Sequence, residues 1–497
     1  MTMKRISIDP ITRLEGHGKV EIFLDEQGNV ANTYLQVPEL RGFEQFCVGR
    51  RAEDMPTITD RICGVCPEAH HLAATKALDE LFAVEPPPAA KKVRELFYMA
   101  FFVTDHTTHF YALGGPDFIL GPDAPPQTRN ILGVVKKVGL EVGKQVIECR
   151  ARNHEMIKKL GGRGIHPVAG MPGGWSKSVS EEERKEIEEA ARKNLEFALF
   201  SLKVFDSLVV SNSAYLDLVL SDVYHHRTYY MGTVDAQNRA NFYDGTIRVV
   251  DPEGNEFLKY RPSEYTEHIA EHVESWSYLK FPYLRKLGWK GFVDGLDSGV
   301  YCATPLSRLN VSDSLATARA QQEFDRFYAT FGRKKVNGRY QPVHHRLATH
   351  WARLIELLYA AERMLELALD PEITSPNVRA IPQKVAGVGV GSVEAPRGTL
   401  IHHYTSDEKG IIKTVNLVVG TTNNHAAIAM SIRKVAEKLI HGAGVVEEGV
   451  LNRIEMAFRL YDPCMSCATH SLPGAMPLIV NLRDSQGGLL RSFQRGG

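Results

Sequence analysis

The sequence predicts an α-dominated α+β protein, a central bundle of long helices with small antiparallel β additions. Two observations carry this: long stretches repeat apolar residues at helical spacing, and a few short ones alternate strictly and close on turn residues. Lys4–Ile8, Gly18–Leu24 and Ala31–Val37 alternate apolar and polar positions, with the turn signal Asp25-Glu-Gln-Gly28 between the last two. A small antiparallel element over about residues 1–40 is therefore expected. From His70 the period becomes helical, with Leu72, Thr75, Leu78, Leu81 and Phe82 on one face and a stop at Pro86-Pro-Pro88. Ala89–Leu113, Ile131–Leu160, Ser180–Leu220, Arg346–Leu369 and His425–His441 continue the pattern, long and apolar enough to bury one another. Phe242–Leu258 reads as a hairpin around Asp251-Pro-Glu-Gly254, and Ile411–Val419 as a strand preceded by Gly410. No repeat or linker marks a boundary, so the chain is read as one domain, with a helical body beginning at about residue 41.

The 497 residues carry 59 Lys+Arg against 59 Asp+Glu, a formal net charge of +0, and no long basic block. Nothing here tracks a phosphate backbone, and no nucleic-acid partner is expected. No stretch approaches the ~18 to 20 apolar residues needed to span a bilayer; the best run, Ala198–Val210, carries Lys203 and Asp206. The N-terminus has no apolar signal region, so a cytoplasmic location is expected unless a partner carries an export signal.

Seven cysteines include two C-x-x-C pairs, Cys63/Cys66 in Arg61-Ile-Cys63-Gly-Val-Cys66-Pro-Glu-Ala-His70 and Cys464/Cys467 in Asp462-Pro-Cys464-Met-Ser-Cys467-Ala-Thr-His470. Each tight bend puts two sulfurs on one side, so two bends can offer four thiolates to one soft-metal centre. A structural zinc site normally staples a small local ribbon, whereas these pairs lie at opposite ends of a large chain. A thioredoxin-like motif leaves the second pair unexplained. Zinc and iron-sulfur ligation both stay open on spacing alone. Cys47, Cys149 and Cys302 lie outside the pairs and are expected to pack as small apolar groups.

The flanking residues go further. The two clusters, with Asp9-Pro-Ile-Thr-Arg-Leu-Glu15-Gly-His17, Arg41-Gly-Phe-Glu44 and Glu394-Ala-Pro-Arg397-Gly, resemble the motif set of the large, catalytic subunit of [NiFe]-hydrogenases, in order and over nearly the whole chain. That resemblance implies the large-subunit fold and reversible heterolytic cleavage of dihydrogen. It implies nickel on Cys63, Cys66, Cys464 and Cys467, with Cys66 and Cys467 bridging to an iron that carries carbon monoxide and cyanide. Glu15 matches the glutamate that takes a proton from a terminal nickel thiolate, here Cys464; an ordinary salt bridge to Arg13 is the competing reading of its residue type. Arg397, Asp105 and Asp462 match a polar canopy over the open metal position, which is also the form of a plain buried ion-pair network. Glu44, His470 and the backbone carbonyl of Leu417 match ligands of a magnesium site, and His70 is expected to hydrogen-bond a sulfur or carboxylate. His17, His106, His109, His166, His402 and His403 are expected mostly as core histidines.

Only three scattered cysteines remain after the paired four, too few for an electron relay, so iron-sulfur clusters are expected only in partner subunits. The resemblance implies an iron-sulfur small subunit, then diaphorase-type flavin/iron-sulfur subunits. Arg41–Arg50, Phe281-Pro-Tyr, Glu394–Tyr404 and Met476–Asn481 are most similar to the cytoplasmic bidirectional branch, NAD-linked or multimeric and electron-bifurcating, with NAD and/or ferredoxin as acceptor. Residues 471–497 resemble an extension that a maturation endopeptidase removes after nickel loading, which implies a domain over residues 1–470 with the helical body over about 41–470. The alternative of another class is a dihydrogen sensor or a non-catalytic complex I-like relative; sensors generally lack the extension, and the complex I-like branch lacks the thiolates.

Overall fold

The computed structural model describes residues 5–37, 39–442, 446–469, 478–483 and 489–495. The three N-terminal strands form as expected: Arg5–Ile8 pairs antiparallel with Lys19–Leu24, which pairs with Val30–Gln36. The loop between the first two carries Glu15 and is laid against the C-terminal cysteine segment.

The helical body is built on Thr349–Leu369, which packs against Glu181–Phe205 and Pro88–Thr108; Pro88–Thr108 in turn packs against Leu140–Gly161. Its apolar faces meet in one continuous core that includes Leu354, Leu358, Ala361, Leu96, Val103 and Phe197. Each large apolar side chain there contributes roughly 1.5–3 kcal/mol on burial. Glu181–Phe205 begins with a capping box, Ser180 accepting from the Glu183 N–H while the Glu183 carboxylate accepts from the Ser180 N–H. Among the described residues no single helix is long and apolar enough to cross a membrane.

Two of the long helices expected from periodicity are broken. Ile131–Leu160 is split at Gly139, whose φ of 94° no helix interior allows, into Ile131–Val138 and Leu140–Gly161. Ser180–Leu220 ends at Phe205, passes through a wider helical turn at Asp206–Val210, and restarts at Ser213 under an Asn212 cap. The helix after the first cysteine pair runs Pro67–Leu81 and stops before the triple proline. The expected hairpin pairs Thr246–Val250 with Glu256–Tyr260, and the expected late strand is Ile412–Val418.

Of the sheet that matters most, periodicity found only the last strand. Val388–Ala395, Gly398–Ser406 and Ile412–Val418 form an antiparallel meander, with the first two almost wholly buried on both faces. A strand with two dry faces has no polar alternation to read. Gly389 and Gly391 explain the close seating of helix Pro67–Leu81 on it, since a Cβ at either position would lie 2.0 Å from the Ala77 or Ala73 carbonyl. This contact aims Cys66 and His70, at the start of that helix, at the turn that carries Arg397.

Buried histidines make the fold acid-sensitive. Burial pushes His71 down to about 4, and its contacts require the neutral ring: the Gly170 N–H donates to Nε2 at 2.8 Å, while Nδ1 donates to the Pro56 carbonyl at 3.0 Å. His106 is likewise pushed to about 4 by burial. Unfolded histidine protonates near 6.5, so below that pH the unfolded chain binds protons that the folded chain refuses. The stability is complete above about 6.5 and drains as pH falls toward 4. Asp60, raised to about 7 by burial, acts in the opposite sense, as do the buried Glu68, Asp79, Asp105 and Asp462, but burial lowers His109, His226 and His350 still further and adds them to the histidine side. The unfolding temperature is expected to be lower at pH 5 than at pH 7; an equal or higher value at pH 5 would refute this balance.

Candidate metal centre

Two bends from opposite ends of the chain meet in the core. Cys63 and Cys66 flank the turn into helix Pro67–Leu81, and Cys464 and Cys467 flank the start of the short helix Met465–Ala468. All four are buried and none is in a disulfide. Their sulfurs all lie within 4.8 Å of one another, with Cys63–Cys464 at 3.3 Å, Cys66–Cys467 at 3.4 Å and Cys464–Cys467 at 2.8 Å. Four large, polarizable donors crowded into a dry pocket form the donor set a soft metal takes. Burial pushes Cys464 and Cys467 well above the ordinary thiol range. Against the same burial, Cys63 is held well below that range because its neighbours donate to its sulfur. The Val65 and Cys66 N–H groups also point at Cys63 Sγ, at 3.2 and 3.1 Å.

Glu15 lies against the second bend. Its backbone pairs in parallel with Cys464, its carbonyl accepts from the Met465 N–H at 2.9 Å, and its Oε2 lies 2.9 Å from Cys464 Sγ. The Ser466 N–H donates to the same oxygen at 3.1 Å. Gly16 permits this approach: its φ is +81°, and a Cβ there would sit 2.9 Å from Met465 Cβ and Ser466 N. Arg13 pairs instead with Asp117 at 2.5 Å and with the Leu113 carbonyl, so the competing salt-bridge reading of Glu15 does not hold.

Over the pocket, Arg397 Nη1 contacts Asp105 at 2.9 Å and Nη2 contacts Asp462 at 3.1 Å, all three buried. Burial raises both carboxylates, and Arg397 pulls against that shift. Burial opposes the Arg397 charge too, but the two carboxylates outweigh it and hold its pKa well above the ordinary value. Arg397 Nε and Asp105 Oδ1 find no protein partner among the described residues. A cavity of about 10 Å³, the volume of a single small group, lies among Cys66, Cys467, Ala395, Arg397, Leu400 and Thr421.

Glu44 accepts from the Leu417 N–H at 2.8 Å; His470 lies outside the described residues. His70 Nδ1 meets His402 Nε2 at 3.1 Å, and His402 Nδ1 continues to the Tyr404 hydroxyl at 2.5 Å. His106 and His109 are buried on Glu356 and the Arg459 carbonyl, whereas His17 is exposed. Cys47, Cys149 and Cys302 are buried away from the pairs.

Sequence reasoning missed the supports. Arg308 donates to the Ala395 and Pro396 carbonyls at 2.9 and 3.1 Å and pairs with Glu356 and Glu394, fixing the Arg397 turn from below. Arg353 reaches Asp462 at 3.4 Å. Thr421 accepts from the Cys464 N–H at 3.0 Å, and Ser466 donates to Glu39 at 3.2 Å. Arg308 and Arg353 sit in apolar helical stretches, and a charge within such a stretch was the available signal.

A helical body with a buried four-thiol centre, a carboxylate on one thiol and an arginine canopy defines a thiolate metalloenzyme. The family profile described as Nickel-dependent hydrogenase matches residues 41–124 and 144–470, and one described as HoxL-like matches residues 5–40. The iron-sulfur subunit of the F420-non-reducing hydrogenase of Archaeoglobus profundus is 47% identical, covering 99% of this chain and 100% of that one. The beta subunit of the NAD-reducing hydrogenase HoxS of Cupriavidus necator is 38% identical over 98% of this chain and 99% of its own. The solved NAD+-reducing [NiFe]-hydrogenase in the H2-reduced state aligns with a TM-score of 0.85 at 36% identity, covering 95% of this chain and 100% of that one. The Ni-Fe-Se hydrogenase of D. vulgaris Hildenborough shares the fold at 23% identity, with a TM-score of 0.70 over 94% of this chain and 100% of its own. The chain belongs to the nickel-dependent hydrogenase family. It is the catalytic large subunit of a [NiFe]-hydrogenase, an oxidoreductase acting on dihydrogen.

Proposed function

We propose that Cys63, Cys66, Cys464 and Cys467 would hold nickel, that Cys66 and Cys467 would also hold an iron with carbon monoxide and cyanide, and that Glu15 is the base. The observation that carries this is the convergence of all four sulfurs within 4.8 Å, with Glu15 on Cys464. The bound metals supply reversible heterolytic cleavage of dihydrogen to protons and electrons. The rest of the work belongs to the chain. Cys464 receives the proton and Glu15, 2.9 Å away, takes it from the sulfur. Arg397, fixed by Asp105, Asp462 and the Arg308-braced turn, keeps a donor over the pocket without giving up its own proton. Ala395 and Leu400 keep the cavity dry, and Arg397 offers a charge to an anionic ligand there. Elemental analysis with infrared spectroscopy tests the set: nickel, iron and bands of metal-bound carbonyl and cyanide are expected, whereas zinc alone rejects it.

Electrons leave, in this reading, through an iron-sulfur small subunit, then through diaphorase-type flavin/iron-sulfur subunits to NAD and/or ferredoxin, in the cytoplasm. The NAD-reducing relatives support NAD; dihydrogen-dependent reduction of each acceptor by the native complex decides between them. Glu44, the Leu417 carbonyl and His470 are proposed to hold magnesium. Residues 471–497 are proposed to be removed by an endopeptidase after nickel loading, a reading supported by the end of the family match at residue 470. Intact-mass spectrometry of active enzyme should find a chain ending at His470; a full-length mass in active enzyme rejects removal.

A further inference from the structure

Glu15 meets Cys464 only while two distant stretches of chain are held in register, the loop between Arg5–Ile8 and Lys19–Leu24 and the end of helix Glu448–Arg459. One buried carboxylate grips both. Asp117, 1% exposed, takes Arg13 Nη2 on Oδ1 at 2.5 Å, and it takes Arg459 on both oxygens, Nε on Oδ2 and Nη2 on Oδ1, at 3.0 Å each. Asn452 closes the group, its side-chain oxygen accepting from Arg13 at 3.3 Å and from Arg459 at 2.5 Å. Thr12 adds a tie across the same gap, its hydroxyl donating to Glu455 at 2.7 Å, and Glu455 also pairs with Arg459. Each arginine is a short step from the site. Arg13 stands two residues before Glu15, and its φ of 58° is a turn that a residue with a side chain keeps only where the surroundings impose it. On the other side, the Arg459 carbonyl accepts at 2.9 Å from the N–H of Asp462, two residues before Cys464.

We propose that Asp117 is a positioning residue for the proposed base: by gripping Arg13 and Arg459 together, it sets the separation of the Glu15 carboxylate and the Cys464 sulfur. The inference rests on the role of Glu15 proposed above. The backbone bridge between Glu15 and Cys464 fixes only the main chain. The Glu15 side chain still turns about its own bonds, so its loop must be held for Oε2 to stay 2.9 Å from the sulfur. Arginine suits the task because its planar fork reaches several acceptors at once, here Asp117, Asn452 and the Leu113 carbonyl at 2.9 Å. Burial raises the Asp117 carboxyl, yet Arg459 and Arg13 outweigh it and hold it below the ordinary value, so the form that binds both cations is the stable one. Asp117 lies in the short helix Pro116–Ile119, a few residues beyond the helix that carries Asp105. Base and canopy therefore share one frame.

The test is a double-mutant cycle on the intact complex, read by isotope exchange with D2O. Arg13→Lys keeps a charge beside Asp117 but cannot reach Asp117, Asn452 and Leu113 together. Exchange should slow about 10-fold or more, a part of the ~100-fold that a misplacement of about 1 Å can cost, while nickel content and the infrared bands of the centre hold. In the Glu15→Gln background the same substitution should cost less than about 2-fold, because a residue that acts through Glu15 then has nothing left to position. Asp117→Asn removes the charge that joins the two arginines and should give the same pattern. Should that buried variant fail to fold, Arg13→Lys decides the matter, since the Arg13 side chain is 10% exposed and keeps its charge. Equal losses in both backgrounds, or nickel lost along with exchange, would mark the clamp as plain structural support and overturn the proposal. So would unchanged exchange in Arg13→Lys where Glu15→Gln alone is slowed. Failure of the Glu15 reading is distinct, since exchange in Glu15→Gln then matches that of the unaltered complex.

Discussion

Cys464→Ala is expected to abolish nickel retention while leaving the helical body folded. A methyl group cannot replace a thiolate donor, and water is a poor substitute at a soft-metal site. Binding free energies of about 10–16 kcal/mol for four-ligand structural sites put each ligand at roughly 3 kcal/mol, or about a 100-fold loss of affinity. The loss at this position should exceed that share. Cys464 is the sulfur in contact with both Cys63 and Cys467, at 3.3 and 2.8 Å, and with Glu15. Removing it also takes from Glu15 the thiol that orients its carboxylate. Cys149→Ala is the matched control: that thiol is equally buried, against Asn153 and Asn194 and away from the paired cysteines, and its loss should leave nickel unchanged. Metal stoichiometry in the two purified variants decides the matter, and one nickel per chain in Cys464→Ala would contradict the assignment.

How the centre could be read so early, and its scaffold so incompletely, follows from the kinds of signal involved. The cysteine pairs, Glu15 and Arg397 are local strings whose spacing survives without a structure, and the resemblance they carry agrees with the family match. Long helices such as Thr349–Leu369 announce themselves by repetition of an apolar face. The Val388–Ala395 and Gly398–Ser406 strands do not, because burial on both sides erases alternation and their glycines answer to the helix packed on them. Helix ends were also misjudged, since periodicity runs on through Gly139 and Asn212 while the backbone does not. Ser466 and Glu39 were hidden for another reason. Their importance lies in contacts across more than 400 positions of sequence, Ser466 to Glu39 and to Glu15, and no local pattern encodes such a pairing.

The second large effect is expected from Glu15→Gln, in which isotope exchange with solvent should slow by at least the ~100-fold typical of a lost general base. Nickel should stay, because glutamine fills the same volume and can still accept from the Ser466 N–H at Oε1; what it cannot do is take the proton from the Cys464 thiol. The rival base is Arg397, and the structure weighs against it. A guanidinium clamped between Asp105 and Asp462 has its pKa driven further up, so it holds its proton through the cycle. Freeing it for base chemistry would require one of those buried carboxylates to lose its partner, a penalty of about 3–5 kcal/mol. Glu15 faces no such barrier: its Oε2 already contacts the sulfur, and its other bond is to the Ser466 N–H. Glu15→Asp sharpens the test, because withdrawing the carboxylate by one methylene should give an intermediate rate if direct transfer from sulfur is the step. Exchange in Glu15→Gln at the unaltered rate would remove Glu15 from the mechanism and return the question to the canopy.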